Sequence, residues 1–192
     1  MNQQGLNNKE LIVEAADQLF YQYGYSQTSF SDISDKAGIP RGNFYYYFKT
    51  KDDILTAVLT QRHQLIKQLL QDCENYSNDV KAQLIYLLEV LLRDEENIVK
   101  YGCPVGTISS ELSKSSVNLQ MQVTDIFETL RQWIEIKMLA AGLAERSKSL
   151  SMEMLARLQG VTVLANVYHD IDFLRQSIQQ HKQWLTDLLN AN

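Results

Sequence analysis

Three consecutive tyrosines, Tyr45, Tyr46 and Tyr47, stand between Phe44 and Phe48 in the stretch PRGNFYYYFKTK, whose basic residues Arg41, Lys49 and Lys51 have no acid among them. A tyrosine can lie with its ring against a sugar or a thymine methyl and give its hydroxyl proton to a phosphate, while ammonium and guanidinium groups neutralise phosphates. Together these residue types fit a polyanion. The acid-free run reaches back to Lys36, in a chain whose net charge is −5. Recognition depends on the field near a surface rather than on the sum of charges, so a small cationic patch on an acidic body suits docking of a duplex at one place. An ordinary solvated loop and helix face is the alternative that charge alone leaves open.

Apolar periodicity predicts what carries the patch. From Asn8 to Tyr23, the residues Ile12, Ala15, Ala16, Leu19, Phe20 and Tyr23 follow the template of an amphipathic helix, with Asn7 or Asn8 placed to cap its start and Gly24 to end it. Thr28 and Ser29 then offer capping hydroxyls, with Asp32 three residues beyond Ser29. Phe30, Ile33 and Ala37 mark one face of a helix of about two turns, which Gly38 ends. Pro40 suits only the start of a helix, so a third one runs from Pro40 or Arg41 to Phe48. Its Phe44 and Phe48, four apart, share an inward face, and Arg41, Asn43, Tyr45 and Tyr46 point elsewhere. Two short helices joined around Gly38 and packed on a longer first one make a helix-turn-helix, its second member available to a major groove.

The whole chain is consistent with such a scaffold. Apolar residues make up 45% of 192 positions, enough for one good core or a small module on a larger one, which excludes a disordered chain. Two prolines and eight glycines in that length, with a helix-favouring composition, predict an all-α fold of about nine helices. Residues 1–62 hold six Lys and Arg against seven Asp and Glu, and residues 63–192 twelve against sixteen, so neither part is basic as a whole. MNQQGLNNKE lacks the layout of a signal peptide and no run of about 18 apolar residues occurs, which predicts a cytoplasmic protein with no membrane partner. Cys73 and Cys103 are too few for a disulfide framework and are read as reduced thiols.

These residues resemble the TetR family of one-component transcriptional regulators. The resemblance runs through Gly24-Tyr25, Thr28-Ser29, Ile33, Ala37-Gly38-Ile39, Arg41 to Phe48 and Lys51-Asp52, nearly all of residues 8–60. Members typically read Y-Y-H-F or Y-H-Y-F where this chain has Tyr45-Tyr46-Tyr47-Phe48, so the usual histidine is missing. The resemblance implies that Thr28 and Ser29 meet phosphates, and that Arg41, Gly42 and Asn43 lie nearest the base edges. Arg41 would read guanine with its two-pronged guanidinium. Gly42 would let the backbone come close to the groove. Tyr45, Tyr46 and Tyr47 would contact phosphate, sugar or a thymine methyl, packing being the alternative, and Lys51 would hold a further phosphate beside a helix N-terminus. For Lys49 plain solvation is the alternative. The family pattern further implies a homodimer on a palindromic operator in double-stranded DNA, a four-helix dimer interface from the last two long helices, a small-molecule effector held between helices, and no cofactor.

The remainder reads as helical. Thr50 and Asp53 form a capping box at the start of a long helix with Ile54, Val58, Leu65, Leu69 and Cys73 on one face. Apolar-periodic stretches follow at Val80 to Leu92, Pro104 to Leu112, Val117 to Leu139, Met152 to Tyr168 and Phe173 to Leu189. The expected division is a DNA-binding domain over 1–50, continuing in the connecting helix to about 66, and an effector-binding and dimerisation domain over 51–192. Leu155, Leu158, Val161, Leu164, Phe173, Ile178, Trp184 and Leu188 offer more apolar surface than one helix pair needs, which places the dimer there. In YGCPVGTISSEL, Gly102 breaks the chain and Pro104 opens a helix, so Cys103 sits where a helix dipole favours a thiolate, or else is a small buried hydrophobe. The GC followed by small residues and Glu-Leu is similar to a branch of the family that includes thiol-based sensors. Tyr86, Tyr101, Phe127, Trp133, Met138, Asn166 and His169 are further candidates for an effector cavity, with packing as their alternative. His63, His169 and His181 stand apart from any metal-ligand spacing, Asp94, Glu95 and Glu96 read as an exposed helix end, and no catalytic fingerprint is present, so neither a metal nor an enzyme is expected. An all-α small-molecule binding protein or enzyme with a structural tri-helix, and a helical interaction module, are the competing readings.

Overall fold

The computed structural model describes residues 3–112 and 117–191, with side chains from Asn8 onward except that of Arg41. Among them are ten α-helices, one 3₁₀ turn and no strand. They are α1 (Gln3–Tyr23), α2 (Phe30–Ala37), α3 (Arg41–Tyr47), α4 (Lys51–Tyr76), α5 (Val80–Arg93), α6 (Glu95–Tyr101), α7 (Pro104–Leu112), α8 (Val117–Ala140), α9 (Ser147–Tyr168) and α10 (Ile171–Asn190), with the 3₁₀ turn at Ala144–Arg146. The short α6 is the helix that periodicity did not separate. Asp94, at φ −128° and ψ 34°, ends α5 and starts α6, so the acids there mark a junction. α1 begins before Asn7 and Asn8, which lie inside it rather than at its cap.

Contacts divide the chain into two compact units, Met1–Gln64 with Val105–Thr124, and Leu65–Pro104 with Asp125–Asn192. This differs from the contiguous division expected: α7 and the opening turns of α8 belong with the helix-turn-helix. In the first unit Ile12, Ala16 and Phe20 of α1, Ile33 of α2, Phe44 and Phe48 of the α3 region, and Ile54, Leu55, Val58 and Leu59 of α4 are buried. Burying a phenylalanine of this kind contributes roughly 1.5–3 kcal/mol, so Phe44 and Phe48 hold α3 firmly by one side. The buried Arg62 is paired with Asp17 at 2.5 Å, linking α4 to α1.

The second unit builds its core from α5, α6, α8, α9 and α10 and the last turns of α4, through Leu84, Leu88, Ile134, Met138, Met154, Leu158, Ala165, Leu174 and Ile178. Leu65 was expected on the buried face of α4 but is exposed. Inward positions step from Arg62 through Ile66 and Leu70 to Cys73, which leaves residue 65 outside. Cys73 is fully buried, and loss of solvent pushes its thiol up to about 11, so it stays protonated at neutral pH, in keeping with a core role.

Candidate nucleic-acid interface

Local capping explains why the short helices start and stop where they do. Ser29 caps α2, its Oγ accepting from the Asp32 N–H at 3.2 Å, while the Asp32 carboxylate accepts from the Ser29 N–H at 2.7 Å. Gly38 ends α2 at φ 66°, a left-handed conformation that only glycine adopts without steric cost. Its neighbour Ile39 donates its N–H to the Ser34 carbonyl at 3.2 Å and accepts from the buried Ser34 hydroxyl at 2.7 Å. The turn is thereby closed, and Pro40 caps α3 with φ already at −56°. Behind α3, the Asp53 carboxylate takes the N–H groups of Thr50 at 2.8 Å and Lys49 at 3.1 Å, which holds its pKa below the usual carboxylate range. The Thr50 hydroxyl accepts from the Asp53 N–H at 3.1 Å, completing the cap on α4.

On this frame α3 turns Phe44 and Phe48 inward and presents Gly42, Asn43, Tyr45 and Tyr46 outward, Tyr46 being 72% exposed. The backbone of Arg41 opens α3; its side chain lies outside the described residues. Tyr45 stacks on Phe30 at 5.7 Å between centroids, and Phe30 meets Phe44 edge-on at 5.5 Å. Tyr46 packs edge-to-face on Tyr47 at 5.1 Å. Tyr47 is half-buried, and its hydroxyl accepts from the Asn8 amide of α1 at 3.4 Å, so it braces α3 against α1. Lys36 and Lys49 are exposed.

Two of the residues expected at phosphates make bonds within the fold. Thr28 is only 4% exposed and its hydroxyl donates at 2.8 Å to the carbonyl of Gly24, the residue just past the end of α1. Lys51 is half-buried: its ammonium donates to the carbonyls of Tyr25 at 2.8 Å and Thr28 at 3.1 Å and lies 4.2 Å from the Tyr25 ring centre. These bonds tie Lys51 to the α1–α2 turn, where the Tyr25 hydroxyl donates to Asp52. Burial first, and Asp52 second, raise the Tyr25 pKa well above the usual phenol range. Sequence reasoning missed Glu111 of α7, whose carboxylate accepts the N–H groups of Tyr25 and Ser26; no local signal connects positions 85 or 86 residues apart.

The effector candidates do not converge on one place. Met138 is fully buried and Trp133 nearly so, with its indole N–H on Glu74 at 3.1 Å, so both are core residues. His169 is exposed and closes α9 at φ 51°. Tyr86 packs on Tyr76 at 4.6 Å with the Arg93 guanidinium 4.2 Å from its ring, and Phe127 is half-buried. Cys103, Tyr101 and Asn166 lie nearer one another, where α6 meets α9: the Cys103 Sγ accepts from Gln159 at 3.5 Å and the Asn166 amide donates to the Val99 carbonyl at 3.1 Å. Among the described residues no cluster of three metal-ligating side chains occurs, and no helix is long and apolar enough to cross a membrane.

Residues 12–58 match the model of bacterial regulatory proteins of the tetR family, and residues 82–180 match the C-terminal domain of LmrA/YxaF-like transcriptional regulators. The chain belongs to the TetR family. A transcriptional regulator from the lacX 3' region of Lactococcus lactis is 30% identical over 175 residues, covering 89% of each chain. The repressor NemR of Escherichia coli is 28% identical over 65% of this chain and 58% of its own. Among solved structures, a TetR regulator from Chloroflexus aurantiacus superposes with a TM-score of 0.85 over 96% of this chain and 97% of its own at 20% identity, which speaks for the fold alone. This TetR-family protein is a DNA-binding transcriptional regulator and not an enzyme. TetR regulators bind DNA, typically as dimers that respond to small molecules.

Proposed function

We propose that this TetR-family regulator represses transcription as a two-fold dimer, laying one α3 from each protomer in the major groove of a palindromic operator, and that a signal received by the second unit releases it. The observation that carries the reading is the outward face of α3, where Gly42, Asn43, Tyr45 and Tyr46 are exposed while Phe44 and Phe48 fix the helix from behind. Arg41 and Asn43 read base edges in this arrangement, and Ser29, Tyr45 and Tyr46 meet the backbone. Selection of bound duplexes from a random pool tests it. The expected product is a palindrome with half-sites about 34–36 Å apart, or a multiple of that, bound with a steep salt dependence. Enrichment of no symmetric sequence would defeat the dimeric-operator reading.

The second copy would lie along α9. Leu155, Leu158 and Val161 of α9 and Ile178 of α10, expected at the interface, are buried in the chain's own core, because the inward stripes of the two helices consume them. Left exposed on α9 are Met152, Ala156, Gly160, Val163, Leu164, Val167 and Tyr168. From Ala156 to Val167 the steps are four, three and four, the seam spacing of paired helices. A Cβ added at Gly160 would meet nothing within 4 Å, so the chain itself has no use for a glycine in mid-helix, whereas a partner backbone does.

For the signal, Cys103 is the proposed entry point, standing between the end of α6 at Gly102 and the start of α7 at Pro104. A thiol-specific electrophile is expected to weaken operator binding by wild type and by Cys73→Ser, and to leave Cys103→Ser unaffected. A typical coupling of about 1–3 kcal/mol corresponds to a 5- to 150-fold change in affinity. Equal responses from all three proteins would return Cys103 to packing and leave a noncovalent effector as the signal.

A further inference from the structure

We infer that Glu111 of α7 is a positioning residue for operator binding, its carboxylate gripping the turn from which α2 and the helix-turn-helix start. The inference rests on the operator-binding reading above. Within the first unit, Glu111 Oε1 accepts the Tyr25 N–H at 3.1 Å and Oε2 accepts the Ser26 N–H at 2.9 Å. Successive N–H groups following a left-handed residue form a concavity that suits an anion, and Gly24 supplies that residue with φ at +89°. A Cβ at position 24 would fall 2.9 Å from Oε1, 3.2 Å from Oε2 and 3.3 Å from the carboxyl carbon. The carboxylate therefore lies directly over a bare Cα, and glycine is what lets it close in.

The grip has a counterpart. Lys51 and Asp52 at the start of α4 hold the same turn through the Tyr25 and Thr28 carbonyls and the Tyr25 hydroxyl. Held from α4 and from α7, the turn fixes the chain three residues before Ser29, the cap of α2. Val105, Ile108 and Leu112 are the buried residues of α7, so Glu111 projects from a helix seated by its own apolar face. Bonds from N–H groups to a carboxylate are roughly twice as strong as neutral ones, which makes this a restraint worth having on an otherwise solvated turn. Without it, the three-helix core of Ile12, Phe20, Ile33, Phe44 and Phe48 remains intact, but its first turn loses the restraint from α7.

Charge and position make opposite demands, which gives a clean test. Removing a carboxylate from a DNA-binding unit favours every duplex electrostatically. Loosening the turn penalises the one duplex that needs α2 and α3 correctly set. In the full-length chain, Glu111→Gln and Glu111→Ala are compared with wild type for affinity to the selected operator and to a random duplex of equal length at the same salt. Stoichiometric titration gives the active fraction, and amide proton shifts of Tyr25 and Ser26 report the grip. Expected for Glu111→Ala is an operator Kd raised about 10-fold, with the random-duplex Kd unchanged or lower, an unchanged active fraction and both amide signals moved upfield. Glu111→Gln, which is isosteric and keeps one acceptor oxygen, should fall between and decides the matter if the alanine variant folds poorly. Equal factors on both duplexes, or an unchanged operator Kd in the glutamine and alanine variants, would overturn the inference. A wild type that binds both duplexes alike would instead remove the operator reading and this inference with it.

Discussion

Gly42→Ala should lose operator affinity by about 10- to 100-fold, a cost of roughly 1.4–2.8 kcal/mol, while the protein stays as stable as wild type or gains slightly. The two halves of that result come from different physics. Gly42 is exposed on α3 with helical backbone, and a Cβ built there would meet nothing within 4 Å. Alanine is the better helix former by up to about 1 kcal/mol in a helix interior, and less at the second position of a short helix, so the free protein has no reason to keep glycine. A duplex does: at the start of a recognition helix the missing methyl is room for the sugar-phosphate backbone or a base edge. Thermal denaturation and operator titration on the same preparation check both halves. A variant with raised stability and wild-type affinity would show that DNA never approaches this turn of α3.

Val163→Glu combined with Val167→Glu should convert a dimer into a monomer of 22.1 kDa and cut operator affinity by about 100-fold or more. Both valines are exposed in the chain, at 55% and 63%, so the substitutions should cost the monomer little and leave its helix content unchanged. Across a two-fold interface the same residues recur on the partner, and each new carboxylate would be brought close to its own copy with its hydration removed. Losing the dimer also removes the gain from binding two half-sites at once, which supplies the large factor. Leu65→Glu is the matched control, since Leu65 is 59% exposed on a different helix, α4. Sedimentation at micromolar concentration separates the cases; a double variant that remains dimeric would place the interface elsewhere.

The parts of this structure that the sequence made legible are those set by neighbours in the chain. Ser29 with Asp32, Gly38 and Thr50 with Asp53 lie within one turn of the helix ends they define, so residue type and spacing sufficed to place α2, α3 and the start of α4. The inward pair Phe44 and Phe48 followed from helical spacing in the same way. The bonds that Thr28 and Lys51 make within the fold were not legible because they are tertiary: the acceptors lie just past the end of α1 and in the turn after it. The same limit applies to α9, where the surplus of apolar residues was legible but not which of them the chain would keep for its own core. Met138 and Trp133 read as well for a cavity as for a core, and only packing distinguishes these.

The first unit is assembled from two lengths of chain, 1–64 and 105–124, with 40 residues of the other unit between them. During synthesis the recognition helices therefore leave the ribosome well ahead of Glu111, and at about 5–20 residues per second the intervening segment takes several seconds to appear. For that interval the nascent helix-turn-helix holds its turn without α7, with Lys51 and Asp52 still in place. The same arrangement bears on transplantation. A chimera that borrows residues 1–64 and joins them to a foreign body leaves the carboxylate behind, with Gly24 open above an unlined turn, so the portable DNA-reading part of this chain includes α7.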